Sequence, residues 1–503
     1  RRQRQMCIRD SYKTMSDELT DRNAPWRCEL RAALPAGERT AIPRAVMPML
    51  PPEERVHNNE EVNMGLTPQQ AVLEATRCLD CPAPGCVGGC PVGIDIPSFI
   101  KNIQRGDIGG AATVLSRSSA LPAVCGRVCP QERQCESRCI YLKMKKEPVA
   151  IGYLERYAAD TARAEGCMAE PIPHRPLGIK VGVVGSGPAG LSFAGEMAAR
   201  GFDVTVFEAL HEIGGVLKYG IPEFRLPNSV VDSELSRLAS MGVRFEKDTV
   251  VGKTLSYDDL VNAGFSGIFV ASGAGLPRFM GIPGENLNGV YSSNEYLTRI
   301  NLMGAGRPGS MTPVEKGHRV IVVGGGNTAM DSVRTARRMG AEEAIIVYRR
   351  SMEEMPARVE EIHHAQQEGV TFMTLHNPIA YIGDDSGHVR LVLLQKMRLG
   401  EPDASGRRSP EPIEGETVEI AADEVIVSVG VSPNPLIPSS INGLEVTRRG
   451  TLAVDEHLRT SLPLLYAGGD IVRGGATVIL AMGDGRRAAQ AMAEAILAER
   501  EQP

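Results

Sequence analysis

IKVGVVGSGPAGLSFAGEMAARGFDVTVFEA, residues 179–209, reads as an apolar strand, a glycine turn, a helical stretch and a second apolar strand that ends in an acid. Gly185, Gly187 and Gly190 form G-x-G-x-x-G directly after KVGVV. The first glycine permits a tight turn, the second lets backbone approach a pyrophosphate, and the third lets helix and strand pack closely. The helix that follows turns its unpaired N–H groups toward the phosphates. Glu208 ends the second strand, where a carboxylate accepts from ribose hydroxyls. The glycine pattern alone is weakly specific. With both strands, the helix and the acid in place it marks a dinucleotide-binding unit, with Gly185, Ser186, Gly187, Pro188, Ala189, Gly190 and Glu208 as candidate contacts.

The plan recurs at VIVVGGGNTAMDSVRTARRMGAEEAIIVYRR, residues 320–350. Here Gly324, Gly326 and Ala329 give the G-x-G-x-x-A variant, with Asn327 and Thr328 inside it. The second strand ends in Tyr348-Arg349-Arg350, with no acid. A carboxylate at that place repels a 2′-phosphate, whereas guanidinium forks bind one. Arg349 and Arg350 therefore assign NADP(H) rather than NAD(H); the alternative is that they solvate a strand end. An acid in one unit and arginines in the other suggest two different dinucleotides, most simply FAD in the first and NADPH in the second. Further along come GIFVASGAG, a buried strand ending in glycines that include Gly273, and GGDIVRGGATVILAMGDG. In the latter Asp470 is placed for the ribityl chain, and a helix starting near Ala476-Thr477 aims its positive end at the flavin. TFMTLHNPIAYIGDDSGHVRLVLLQKM alternates around a DDSG turn and predicts a β-hairpin.

The chain has 503 residues, a net charge of −6 and 42% hydrophobic residues. That length suits two or three domains. The mild acidity gives no nucleic-acid footprint, and no apolar run is long enough to span a bilayer. Without an apolar signal core the chain is expected in the cytoplasm, where stable disulfides are rare. Residues 6–11, MCIRDS, resemble the translated end of a sequencing-library adapter. Residues 1–14 are accordingly expected to be a non-native leader, with Met15 as start and no role for Cys7.

The cysteines then read as metal ligands or redox groups. Eight of the eleven fall at 78, 81, 86, 90, 125, 129, 135 and 139. The first group is CLDCPAPGCVGGCP, C-x2-C-x4-C-x3-C-P; the second is CGRVCPQERQCESRC. Zinc ribbons usually pair two C-x2-C knuckles, and only one is present. The terminal Cys-Pro resembles two-cluster ferredoxin runs, in which the fourth cysteine serves the other cluster. Iron–sulfur is favoured over zinc on that ground. Flavin and NADPH sites strengthen it, since a flavin accepts a hydride and releases electrons singly. The bland count assigns all eight cysteines to two clusters. No cysteine follows Cys167, so a disulfide reductase with a redox pair beside the flavin is excluded. The low aromatic content around the cysteines suggests that a bound cofactor supplies part of that region's cohesion.

In combination these motifs, with GGVLKYGIPEFRLP at 214–227, resemble the FAD, NADPH and iron–sulfur subunit of glutamate synthase and its relatives. GGVLKYGIPEFRLP and ATVILAMGDGR are most similar to the large subunit of electron-bifurcating NADH-dependent reduced ferredoxin:NADP oxidoreductases. The resemblance covers nearly everything from about residue 60 onward. It implies a helical two-[4Fe–4S] domain preceding two Rossmann-like α/β domains, an FAD domain with an NADPH domain inserted. Expected bounds are an extended arm at 15–70, the cluster domain at 71–170, the FAD domain at 178–290 and 415–498, and the NADPH domain at 291–414. It adds Gly215 and Thr477 to the FAD contacts and implies hydride transfer between NADPH C4 and flavin N5, catalysed by positioning with no side chain as a general base. It also implies Cys78, Cys81, Cys86 and Cys139 on one [4Fe–4S] cluster, and Cys90, Cys129, Cys135 and Glu155 on the other, leaving Cys125 spare.

Four functions follow. In a bifurcating subunit of a hetero-oligomer, electrons move between NADPH, ferredoxin and, through a partner flavoprotein, NAD. A glutamate synthase small subunit instead feeds a separate amidotransferase subunit, because this chain holds no glutaminase or synthase domain. A non-catalytic relay scaffold conflicts with two intact nucleotide fingerprints. An electron-input subunit for pyrimidine reduction is the weakest reading.

Overall fold

The computed structural model describes residues 18–168, 175–404 and 406–501; the expected leader at 1–14 lies outside them. An arm with helix α1 (Pro25–Ala33) leads into five helices: α2 (Pro68–Arg77), α3 (Ile96–Gln104), α4 (Ile108–Ser116), α5 (Pro122–Val128) and α6 (Ile151–Glu165). Their starts are written in the sequence. Thr67 and Gln70 form a reciprocal capping box on α2, and Asp95 and Asp107 cap α3 and α4. Two of the cysteines sit at helix ends, Cys78 directly after α2 and Cys129 directly after α5, and most of the others lie in the connecting segments.

The first nucleotide unit is a parallel sheet of β1 (Lys180–Val184), β2 (Asp203–Phe207), β3 (Arg244–Glu246), β4 (Phe265–Val270) and a late strand in the order late–β4–β1–β2–β3. Helix α7 (Pro188–Ala199) follows β1. Four consecutive residues of β1 are buried because a parallel sheet is covered on both faces, which is why its strands read as unbroken apolar runs. The second unit repeats the design with β5 (Val290–Ser292), β6 (Arg319–Val323), helix α8 (Asn327–Met339), β7 (Glu343–Tyr348), helix α9 (Val359–Gln367) and β8 (Thr371–Thr374). Next comes an antiparallel sheet of β9 (His376–Gly383), β10 (Val389–Pro402) and β11 (Arg408–Ala421). The hairpin expected around DDSG is its β9–β10 pair, joined at residues 384–388.

Strand β12 (Glu424–Val427) pairs in parallel with β5 and β6, so it belongs to the second sheet. The boundary drawn at 414/415 had placed it in the first unit. The return to that unit occurs after it, through β13 (Leu465–Ala467), the late strand that pairs with β4, and helix α10 (Val478–Glu501). Sequence could not separate the two cases, since both sheets take short, wholly buried apolar strands.

The cysteine region does not have a core of its own. Phe99, Ile103, Val124 and Leu154 join Val181, Phe193, Met482 and Met492 in one continuous buried cluster. Its cohesion therefore comes from sharing a core with the first nucleotide unit, and not only from a cofactor as its composition suggested.

A buried ion network ties the second unit to the rest. Glu368, at the end of α9, meets Arg55 of the arm at 3.1 Å and Arg334 and Arg338 of α8, each at 2.8 Å. Arg225 of the first unit meets Asp331 at 2.8 Å and Glu361 at 3.3 Å. Burial alone raises the Glu368 carboxyl, but Arg334 and Arg338 overcome it and hold it down at about 2. Removing one partner of such a network leaves the others buried and uncompensated. Glu368→Gln is expected to lower stability by about 3–5 kcal/mol, measured by denaturant unfolding; a change below about 1 kcal/mol would show that the arginines find other partners.

Candidate flavin, nucleotide and cluster sites

A continuous cleft of about 2380 Å³ runs between the two nucleotide units. Gly185 to Ala189, Glu208, Gly215, Gly273, Asp470 and Thr477 line one end of it; Gly324, Gly326, Asn327, Thr328, Arg349 and Arg350 line the other. Of the predicted nucleotide contacts, only Gly190 and Ala329 do not line it. They serve close packing: a Cβ on Gly190 would lie 2.0 Å from the Gly185 carbonyl oxygen, and Ala329 is fully buried.

At the first end Gly185 has φ +100°, and a Cβ there would lie 2.5 Å from the Ala271 oxygen. Helix α7 starts at Gly187 with no side-chain cap, which leaves its first N–H groups for an anion. Glu208 is buried; one of its carboxylate oxygens accepts from the Ser186 amide (2.9 Å) and hydroxyl (2.5 Å) and the other from the Leu210 amide (2.9 Å). The Ser186 hydroxyl in turn accepts from the Gly214 amide at 2.8 Å. The acid thus braces the glycine turn at the edge of the cleft. Burial pushes the Asp470 carboxyl up to about 6. Asp484, which the sequence reading passed over, holds the turn around Asp470: it accepts from the Gly469 amide at 3.0 Å and pairs with Arg473 and Arg487. Its only sequence signal was its place in MGDG.

At the second end Gly324 has φ +143°, with a would-be Cβ 2.3 Å from the Ser428 oxygen, and α8 is likewise uncapped by any side chain. The Asn327 side chain accepts from the Arg358 amide at 2.8 Å. The two arginines separate. Arg349 is exposed on the cleft wall. Arg350 is buried, donating from Nε to the Arg408 carbonyl at 2.8 Å and pairing with Asp403 at 2.6 Å. Its guanidinium is committed to the β10–β11 connection. That same connection brings Arg407 to the cleft, a cation no local motif announced.

The thiols form two adjoining sets, and all ten described cysteines are free of disulfides. Burial raises Cys78, Cys81 and Cys86, the last to about 12, and the charges of one another and of Cys139 add to it. In the second set burial pushes Cys90 up to about 11 and raises Cys135, and Glu155 adds to both. Cys129 is raised first by a hydrogen bond with Cys125, then by burial. Glu155 is buried, its Oε1 has no hydrogen-bond partner, and burial pushes its carboxyl up to about 8. An orphaned buried carboxylate oxygen among crowded thiols is costly on its own and would be relieved by direct ligation to an iron ion, so these residues fit such a group. Among the described residues no three His, Cys, Asp or Glu converge as a single-ion site would require. Cys125 Sγ lies 3.5 Å from the Met482 sulfur on α10, and Val128 lines the cleft. The Glu155 set therefore adjoins the nucleotide unit; Cys81, Cys86 and Cys139 of the other set are partly exposed, as is Cys90 of this one.

Residues 55–167 match the family described as dihydropyrimidine dehydrogenase domain II, 4Fe-4S cluster, and residues 179–495 match pyridine nucleotide-disulphide oxidoreductase. The glutamate synthase [NADPH] small chain of Azospirillum brasilense is 37% identical over 90% of this chain and 95% of its own length. The chain belongs to the glutamate synthase small-chain family. These are NADPH-dependent flavin oxidoreductases with a 4Fe-4S domain. The NADP(+)-dependent formate dehydrogenase subunit beta of Moorella thermoacetica is also 37% identical, over 80% of this chain and 59% of that one. A variant of FprA from Mycobacterium tuberculosis shares the fold, with a TM-score of 0.55, 20% identity, and coverage of 65% of this chain and 86% of that one. No described helix is long and apolar enough to cross a membrane.

FAD held in this cleft would supply hydride exchange with NADPH and single-electron release. The chain's own part would be positioning: the uncapped helix ends are placed to receive phosphates, Glu208 and Asp484 fix the turns, and the cleft walls would orient the rings. Gly190→Val forces Cβ into the Gly185 carbonyl and should abolish bound FAD. Absorbance near 450 nm of the purified variant checks it, and full FAD occupancy would contradict the packing role.

Proposed function

We propose that the chain is the electron-input subunit of a larger oxidoreductase, linking NADPH through FAD and two [4Fe–4S] clusters to an acceptor on a partner subunit. The observation that carries it is the sequence of sites: a two-ended nucleotide cleft, the Glu155 thiol set next to it, and the Cys139 set partly exposed beyond. The ligand groups are Cys78, Cys81, Cys86 and Cys139 for one cluster, and Cys90, Cys129, Cys135 and Glu155 for the other, with Cys125 packed on Met482. For the acceptor, the motif resemblance favours electron bifurcation, with ferredoxin and a partner flavoprotein that reduces NAD. The length and identity of the match to the Azospirillum protein favour a second reading, delivery to an amidotransferase subunit that makes glutamate. Copurification with the native partner decides between them: NADPH-driven ferredoxin reduction coupled to NAD reduction supports the first, and glutamate formation from glutamine and 2-oxoglutarate supports the second.

Purified without oxygen, the chain should hold one FAD and about eight irons, the number for two cubanes. Stoichiometric zinc without iron would refute the reading. Cys125→Ala should keep both clusters, whereas Glu155→Ala should lose or retune one. Half the iron lost in the first variant, with an unchanged spectrum in the second, would reverse the ligand assignment.

Because Arg350 is engaged elsewhere, Arg349 is the arginine of the pair left to read the 2′-phosphate. Arg349→Ala should weaken NADPH by about 1.5–3 kcal/mol, the value of a charge-assisted contact, and leave NADH nearly unchanged. Equal losses in KM for both nucleotides would remove Arg349 from that role.

A further inference from the structure

Lys101 on α3 is fully buried. Its Nζ donates to the Cys78 carbonyl oxygen and to Gln104 Oε1, both at 2.6 Å. Among the described residues it forms no ion pair. The nearby acid, Asp80, is occupied by Arg27 and Arg31, both at 2.6 Å. Arg39, also buried, points a second cation at the same Cys78 carbonyl at 3.5 Å. A buried ammonium without a counter-charge is strongly unfavourable, so an anion has to complete this site. The Cys78 backbone leads straight to one: an iron–sulfur centre on four thiolates carries net negative charge.

In the first set the cation acts on Cys78, while Cys81 and Cys86 feel neighbouring thiols; among the described residues the other thiol set has no such cation. The charges that weigh most on Cys90, Cys129 and Cys135 are those of Glu155, Glu136 and neighbouring thiols, all negative. Glu234 also acts on Glu155. Glu136 and Glu234 have their own partners, Arg44 at 2.8 Å and Arg237 at 3.3 Å.

We propose that Lys101 is the counter-ion of the Cys78, Cys81, Cys86 and Cys139 centre and holds its reduction potential above that of the centre beside Glu155. This rests on the two-cluster reading above. Adding one electron makes either centre more anionic, which a buried ammonium favours; Glu155 as a ligand carries the same charge as the thiolate it replaces, so Lys101 is what separates the two centres. A single electron shared by the pair therefore resides on the outer, partly exposed centre, poised to leave the chain. The transfer moves one electron from the inner to the outer centre, with no bond made or broken and no proton moved. Lys101 acts as a positioning residue through its charge.

The test is an anaerobic redox titration of the full chain, followed by electron paramagnetic resonance, with Cys139→Ser used to assign the outer signal. The wild type should reduce the outer centre first. In Lys101→Met the reduced-to-oxidised ratio of that centre at fixed potential should fall at least about tenfold, or 59 mV for one electron, while the inner centre moves less than about twofold. Lys101→Gln retains a donor for the Cys78 carbonyl but no charge, and should shift as far as Lys101→Met. An inner centre that reduces first in the wild type overturns the proposal. So does an unchanged outer potential in Lys101→Gln with iron intact. If both variants lose iron, the wild-type order of reduction alone decides. A wild-type iron content matching one cluster would instead defeat the two-cluster reading, before any potential is measured.

Discussion

The whole assembly hangs on how closely helix α10 approaches two other parts of the chain. A Cβ on Gly485 would lie 2.1 Å from the Ala189 carbonyl on α7, and one on Gly483 would lie 2.9 Å from the Pro91 carbonyl, next to Cys90. Met482, just before them, touches Cys125, and the Ser192 hydroxyl donates to the Met482 carbonyl at 2.9 Å. One helix thus presses the flavin unit's first helix against the cysteine loop. Only glycine at two positions of MGDG allows it. The shared hydrophobic core follows from this seam, and so does the short path from cleft to thiols, which a one-electron relay requires.

The second nucleotide unit is held differently, by charge. Arg133, between Cys129 and Cys135, donates to the carbonyls of Met355 (2.9 Å), Pro356 (2.9 Å) and Ala357 (3.2 Å). The Ala357 amide donates to Gly325 in the second glycine turn at 3.1 Å. Arg358 donates to the Arg127 carbonyl, and Tyr153 to Glu360 at 3.2 Å. The nucleotide turn of this unit is therefore braced by the segment that carries the second cysteine motif. Together with the Arg55, Arg225 and Glu368 network, these contacts fix the second unit against both the arm and the cluster region. Buried ion pairs of this kind specify an arrangement more than they stabilise it. That suits two halves of a cleft that must meet in one register.

Much of the site was legible because its chemistry is local. A glycine that must adopt positive φ, such as Gly185 or Gly324, an acid or arginine ending a strand, and thiols at ligand spacing all declare themselves within one short segment. The two nucleotide units, their helices and the hairpin at DDSG could be read this way.

The residues the reading missed or misplaced are those whose role depends on a distant partner. Strand β12 looks like any short buried strand, and only its pairing with β5 and β6 assigns it to the second sheet. Arg350 reads like Arg349 and also lines the cleft, yet Asp403 and the Arg408 carbonyl engage its guanidinium. Asp484 and Lys101 carry no motif. Their importance comes from burial next to Gly469 and Cys78, and burial is a property of the packed chain. By itself the sequence determined which segments turn and where glycine turns and thiols are placed, because backbone sterics and residue spacing act over a few residues. The tertiary structure decided which charges face which site, because electrostatic pairing and desolvation depend on neighbours that meet only when the chain has folded.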